Sequence, residues 1–289
     1  MVSTRTAVCL FAFHALLSDT AAQTIVSPEI PQIDGAWWQV AGNPYLGVYS
    51  SKWQQPVDFA IWQANDGTWQ IWSCIRFTFI GGVTRLFHRW EGRRITDTNW
   101  QPMGIAMVAD PGLGETPGGL QAPHVFKENN VYYMAYGDWH RICLARSDDG
   151  KVFSRVLNPR GQPDLFTGPY SHTRDPMLLE VGGVHVCYHM GNSGHVQYPA
   201  AAFGRTSLDL VNWSAPTMVA AGGIAGRFPG DCECPFVVLD FGVGHDVYRI
   251  GSLPVAAPEI VLDRGQYYIA ALNPDLDGIR IARLRWAAR

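Results

Sequence analysis

Short apolar runs separated by polar turns recur along the chain, and five stretches share one layout of a strand, a turn and an aromatic-rich second strand. The copies are Val57–Trp62 with Gly67–Trp72, Ala122–Phe126 with Val131–Tyr136, Asp175–Leu179 with Val184–Tyr188, Cys234–Leu239 with Val247–Arg249, and Ala257–Val261 with Gln266–Ala270. In four of them a proline opens the first strand, where its missing N–H is tolerated. Further hairpin-like stretches follow at Arg141–Phe153 and Phe203–Trp213, making about four strands per unit, the make-up of a propeller blade. The pattern predicts an all-β, five-bladed β-propeller. The copies open at Asp58, Pro123, Pro176, Pro235 and Pro258, giving steps of 65, 53, 59 and 23 residues. The short last step implies a fourth blade without its outer strands, or a blade shared by the last two copies.

In a propeller the innermost strand of every blade faces the axis, so the openings of the first strands converge on one central cavity. The matching positions are Asp58, His124, Asp175 with Arg174 before it, Glu233 and Glu259. Carboxylates crowded into one cavity cannot all ionise freely, and cleavage of a sugar linkage uses that inequality. One acid attacks or activates water while another, held protonated, donates to the leaving oxygen. Taken singly, an Asp before Pro is a turn residue and a lone Glu a surface acid; recurrence at one repeat position favours a joint site.

Trp38, Trp62, Trp72, Trp90 and Trp139 offer faces on which a sugar could stack. Packing between blades accounts for most of them, and Trp38 and Trp139 are the pocket candidates. The Gly/Pro-rich run at 109–119 is read as a loop on the pocket rim, since no Lys-Ser/Thr or strand-to-helix context follows it. The nine histidines lack metal-ligand spacing, and neither an EF-hand nor an organic-cofactor motif occurs, so no metal and no cofactor are expected.

Composition agrees with this reading. The 289 residues are 47% hydrophobic and 16% charged, with 11 Trp, 30 Gly and 19 Pro, as many short strands and turns require. A net charge of −3 without a basic run argues against nucleic acid. Arg5, the apolar run Ala7–Leu17 and the small residues up to Ala22 predict a signal peptide over 1–22, a single propeller catalytic domain over 23–289 and a secreted or periplasmic location, with no membrane span. Cys9 leaves with the signal. Cys74, Cys143, Cys187, Cys232 and Cys234 remain, an odd number; the first three sit in apolar runs as small hydrophobes.

Arg174-Asp175-Pro176 and Glu233-Cys234-Pro235 resemble the "RDP" and "ECP" signatures of glycoside hydrolase families 32 and 68, which share a five-bladed propeller with family 43. Thr206–Trp213 is similar to their "S-x-D-L-x-N-W" segment and Gly278–Trp286 to their closing strand. The resemblance covers most of residues 34–289 and implies a glycosidase. It assigns Asp58 as nucleophile or base, Asp175 as the group that steadies the transition state, Glu233 as general acid and Arg174 as a holder of sugar hydroxyls. The family-32 "N-D-P-N-G" reads Val57-Asp58-Phe59-Ala60 here, so retention and inversion both stay open. Carboxyl groups about 5 Å apart would mean retention, and about 6.5–9.5 Å inversion. The alternative is a carbohydrate-binding propeller without catalysis.

Overall fold

The computed structural model describes residues 29–169, 172–192, 200–221, 253 and 255–288. The predicted signal peptide, the copy at Cys234–Leu239, Glu233 and the Cys232/Cys234 pair lie outside them. Strands dominate the described chain, and no helix in it is long and apolar enough to cross a membrane.

The strands form four antiparallel sheets. β1 (Glu29–Gly42) is the outer edge of a closing sheet. The first blade is β2 (Gln55–Gln63), β3 (Trp69–Arg76), β4 (Leu86–Gly92) and β5 (Gln101–Met107). The second contains β6 (Gln121–Glu128), β7 (Val131–Gly137), β8 (Arg141–Ser147), the short β9 (Ser154–Arg155) and β10 (Asp164–Thr167). The third is β11 (Arg174–Val181), β12 (Val184–Asn192), β13 (Ala200–Ser207) and β14 (Thr217–Ala221). β15 (Glu259–Asp263), β16 (Gln266–Leu272) and β17 (Gly278–Ala288) complete the closing blade, in the order β1-β17-β16-β15.

Successive inner strands touch, β2 against β6, β6 against β11 and β15 against β2, so the sheets stand around one axis as propeller blades. Apolar side chains fill the spaces between neighbouring blades. Phe59, Ile61, Ile71 and Trp90 of the first blade pack against Ala270, Ile279 and Ile281 of the closing blade. Trp62, Trp72 and Phe87 meet Met134, Tyr136 and Cys143 of the second blade, and Ala135 and Leu144 meet Leu178 and Cys187 of the third. Cys74, Cys143 and Cys187 are buried free thiols, as their apolar surroundings predict.

The all-β propeller reading stands, with four blades among the described residues in place of the five expected. The final copy supplies only the two inner strands of its blade, and β17 and the N-terminal β1 add the outer two.

Candidate active site

Each described inner strand opens with the same backbone device. Asp58, Ala122, Asp175 and Ala257 hold φ values of 33°, 46°, 53° and 47°, in or beside the left-handed region that side chains disfavour. Pro123, Pro176 and Pro258 follow three of them and Phe59 the fourth. Ladder register slips at Val57/Phe59, Gln121/His124 and Arg174/Met177, the mark of a bulge that re-aims a side chain. The four positions are structural equivalents, which corrects the sequence alignment. His124 and Glu259 stand two residues beyond theirs, and alanines occupy the equivalent places in the second and closing blades.

Asp58 and Asp175, contributed by blades one and three, line a single cavity of about 520 Å³. That volume lies within the usual range of small-molecule sites, about 300–1,000 Å³. Asp175 is buried, and Arg174 beside it places Nε 3.5 Å from its Oδ2. Arg76 and Arg85 line the same space. Arg76 donates to Gln55 Oε1 from Nε at 3.0 Å and Nη2 at 2.8 Å, and Arg85 Nη1 donates to Gln121 Oε1 at 3.0 Å.

Trp139 reaches this cavity because of its turn. Buried Asp138 accepts from the His140 and Arg141 amides at 3.1 and 2.8 Å and pairs with the Arg141 guanidinium at 2.7 Å. That holds Trp139 at φ 80°, with Arg85 over its ring at 5.0 Å and His172 edge-on at 5.7 Å. Burial, aided by Arg174 and His140, holds the His172 imidazole below its ordinary pKa.

His124 and Glu259 line a recess of about 30 Å³ under the two aspartates, between Pro123, Pro176 and Pro258. A space of that size holds a water molecule or two, not a sugar ring. Burial lowers His124 to about 4, partly offset by its bond to the Leu178 carbonyl at 3.0 Å; a carbonyl only accepts, so Nε2 carries the proton. Burial raises Glu259 to about 8. The floor is therefore neutral near pH 7, and these two residues line the small recess and not the large cavity, where the sequence predicts them as substrate-binding residues.

Trp38 is also elsewhere. It lies in β1, edge-on to Tyr268 at 6.2 Å, and its Nε1 donates to the Ile95 carbonyl at 3.2 Å, joining the closing blade to the first. Trp62, Trp72 and Trp90 are core, as expected of most propeller tryptophans. The 109–119 loop does not line the cavity; Glu115 anchors it between blades through Arg155 at 2.6 Å and Tyr136 at 2.6 Å. Arg76, Arg85, Gln121 and His172 were missed from the sequence, since none lies at a matched repeat position or in a motif, although Gln121 opens β6. Among the described residues no group of three or more His, Cys, Asp and Glu is placed to hold a metal.

Several solved structures are similar to this chain. A thermostable family-43 glycoside hydrolase is 17% identical, with 80% of this chain and 66% of that chain covered and a TM-score of 0.45. A β-xylosidase, RS223, is 14% identical, with 82% and 94% covered and a TM-score of 0.49. The Cellvibrio cellulosa α-L-arabinanase complexed with arabinohexaose is 11% identical, with 90% and 92% covered and a TM-score of 0.47. The chain thus spans just under two thirds of the first of these. No family model and no curated protein matches it.

Proposed function

We propose that the protein is a glycoside hydrolase that cleaves an oligo- or polysaccharide by carboxylate catalysis. The observation that carries this reading is the pairing of Asp58 and Asp175, brought from different blades by the same strained bulge to the wall of one sugar-sized cavity. In this reading Asp58 takes a proton from water, or attacks the anomeric carbon itself. The glycosidic C–O bond breaks, and Glu233 gives its proton to the departing oxygen. Asp175 stabilises the positive charge that develops on the ring, Arg174 orients Asp175 and a sugar hydroxyl, and Trp139 offers an aromatic face. Glu233 as general acid, a fifth blade and export by a signal peptide all turn on residues outside the described set and belong to the same proposal.

Asp58→Asn and Asp175→Asn each keep the side-chain shape and remove the charge. Each is expected to lower kcat by at least about 10³-fold on the best substrate of a glycan panel, with the thermal midpoint little changed, since a positioned acid or base is worth about 10²–10⁴ in rate before electrostatic effects are added. Wild-type turnover in either variant rejects the assignment. Glycan binding by the wild-type protein with no product after prolonged incubation would make it a non-catalytic binder.

A further inference from the structure

Arg76 closes β3 and Arg85 immediately precedes β4. The β3–β4 ladder ends on the pair Ile75–Leu86, so one more step of the same register sets these two arginines opposite each other. Like charges facing across a ladder repel, and a fold normally answers with a carboxylate between them. Here the acceptors are uncharged amide oxygens, Gln55 Oε1 for Arg76 and Gln121 Oε1 for Arg85. Aromatic rings complete the support, Phe77 under Arg76 at 4.8 Å and Trp139 under Arg85 at 5.0 Å. Among the described residues no ion pair includes either arginine. Amides and rings orient the guanidinium forks without discharging them.

On the described wall the carboxylates set against the arginines are Asp58 and Asp175. Burial pushes the Cys74 thiol beneath them up to about 12, so no thiolate forms there. Arg174 already faces Asp175, and Glu259 in the recess is protonated near pH 7. The charged groups lining the large cavity are Arg76, Arg85 and Arg174 against Asp58 and Asp175, a net positive wall in a chain whose own net charge is −3.

We infer that Arg76 and Arg85 form an anion clamp, and that the sugar taken by this cavity carries an acidic substituent, the carboxylate of a uronate or a sulfate ester. Two guanidinium forks can each meet a pair of oxygens of such a group, and a low-dielectric wall strengthens the contact. This deepens the hydrolase reading and rests on it for the substrate being a carbohydrate.

Calorimetric titration with glucuronate, galacturonate and glucose 6-sulfate, against glucose and galactose, tests the clamp without requiring turnover. At least one anion is expected to bind about tenfold or more tightly than its neutral counterpart, as a charged hydrogen bond implies. That preference should fall toward one in the Arg76→Gln/Arg85→Gln protein. Rising salt should weaken anion binding by the wild-type protein and leave neutral sugars unaffected, a readout that needs no variant. The stronger of uronate and sulfate identifies the substituent. Equal affinities, no binding of any anion, or a preference that survives the double substitution overturns the clamp. Hydrolysis of neutral glycans without anion preference rejects the clamp and keeps the hydrolase; anion preference with no hydrolysis of any glycan does the reverse.

Discussion

Asp58, Ala122, Asp175 and Ala257 show how one strained residue position serves two purposes. A positive-φ residue recurs at the opening of every described inner strand, whereas the acid is present only in blades one and three. Aspartate tolerates that backbone better than alanine, so the two catalytic candidates cost the fold less than their alanine equivalents. Two residues along the strand, the floor titrates in a way that can be tested. Glu259 is raised from an ordinary 4.5 to about 8 by burial. The unfolded chain ionises first, so this residue's contribution to stability falls as pH climbs from about 4.5 to 8 and levels off above that. His124 works the other way, its contribution falling as pH drops from 6.5 toward about 4. In urea unfolding, Glu259→Gln should therefore gain on the wild-type protein toward alkaline pH, by up to about 3 kcal/mol, because water in the recess returns part of the lost hydration. Parallel pH profiles for the two proteins would show Glu259 to be an ordinary ionised carboxylate.

Among the elements, the second strands of the copies were the most legible, because they are rich in aromatic and apolar residues: Trp69–Ile75 is buried throughout, Gln70 and Ser73 included. The turns between outer strands also declared themselves. Ser147 with Asp149 and Ser207 with Asp209 repeat one local fold, in which the aspartate accepts from backbone amides two and three residues on. Loop 109–119 was misread because its function depends on a distant partner. Glycine and proline mark it as irregular, but its place is set by Glu115, which is buried and meets Arg155 from across the blade and the Tyr136 hydroxyl. The same loop carries the Gly118 carbonyl to the Arg85 amide at 2.8 Å, bracing one arm of the anion clamp. Glu115→Gln would leave Arg155 as an uncompensated, largely buried charge. The expected loss is about 3 kcal/mol of stability in thermal or urea unfolding, and an unchanged midpoint would mean the pair contributes nothing.

At the scale of the whole molecule the closing blade is completed by strands from the two ends of the described chain, which no local pattern links. Glu29 pairs with Ala288 and Gly42 with Gly278 across the β1–β17 ladder. The repeat marks inner hairpins, which are local, whereas an outer strand borrowed from the other terminus leaves no periodic trace. For the same reason Trp38 looked like a pocket residue: standing just before the first copy, it seemed to border that copy's opening. The structure gives it instead to the seam, packed on Tyr268 and bonded to the Ile95 carbonyl of the first blade. The convergence of Asp58 and Asp175 was legible because it follows from radial symmetry alone, while the arginines facing them depend on ladder register, which composition does not reveal. A seam residue and a pocket residue differ in what their loss does. Trp38→Ala removes a partly buried indole and one hydrogen bond from the only ladder that joins the two ends of the described chain, and is expected to cost about 2–4 kcal/mol, read as a lowered thermal midpoint and faster proteolysis near residue 29. Loss of sugar affinity with the midpoint intact would return Trp38 to the binding site, so calorimetry on the same variant decides between the two placements.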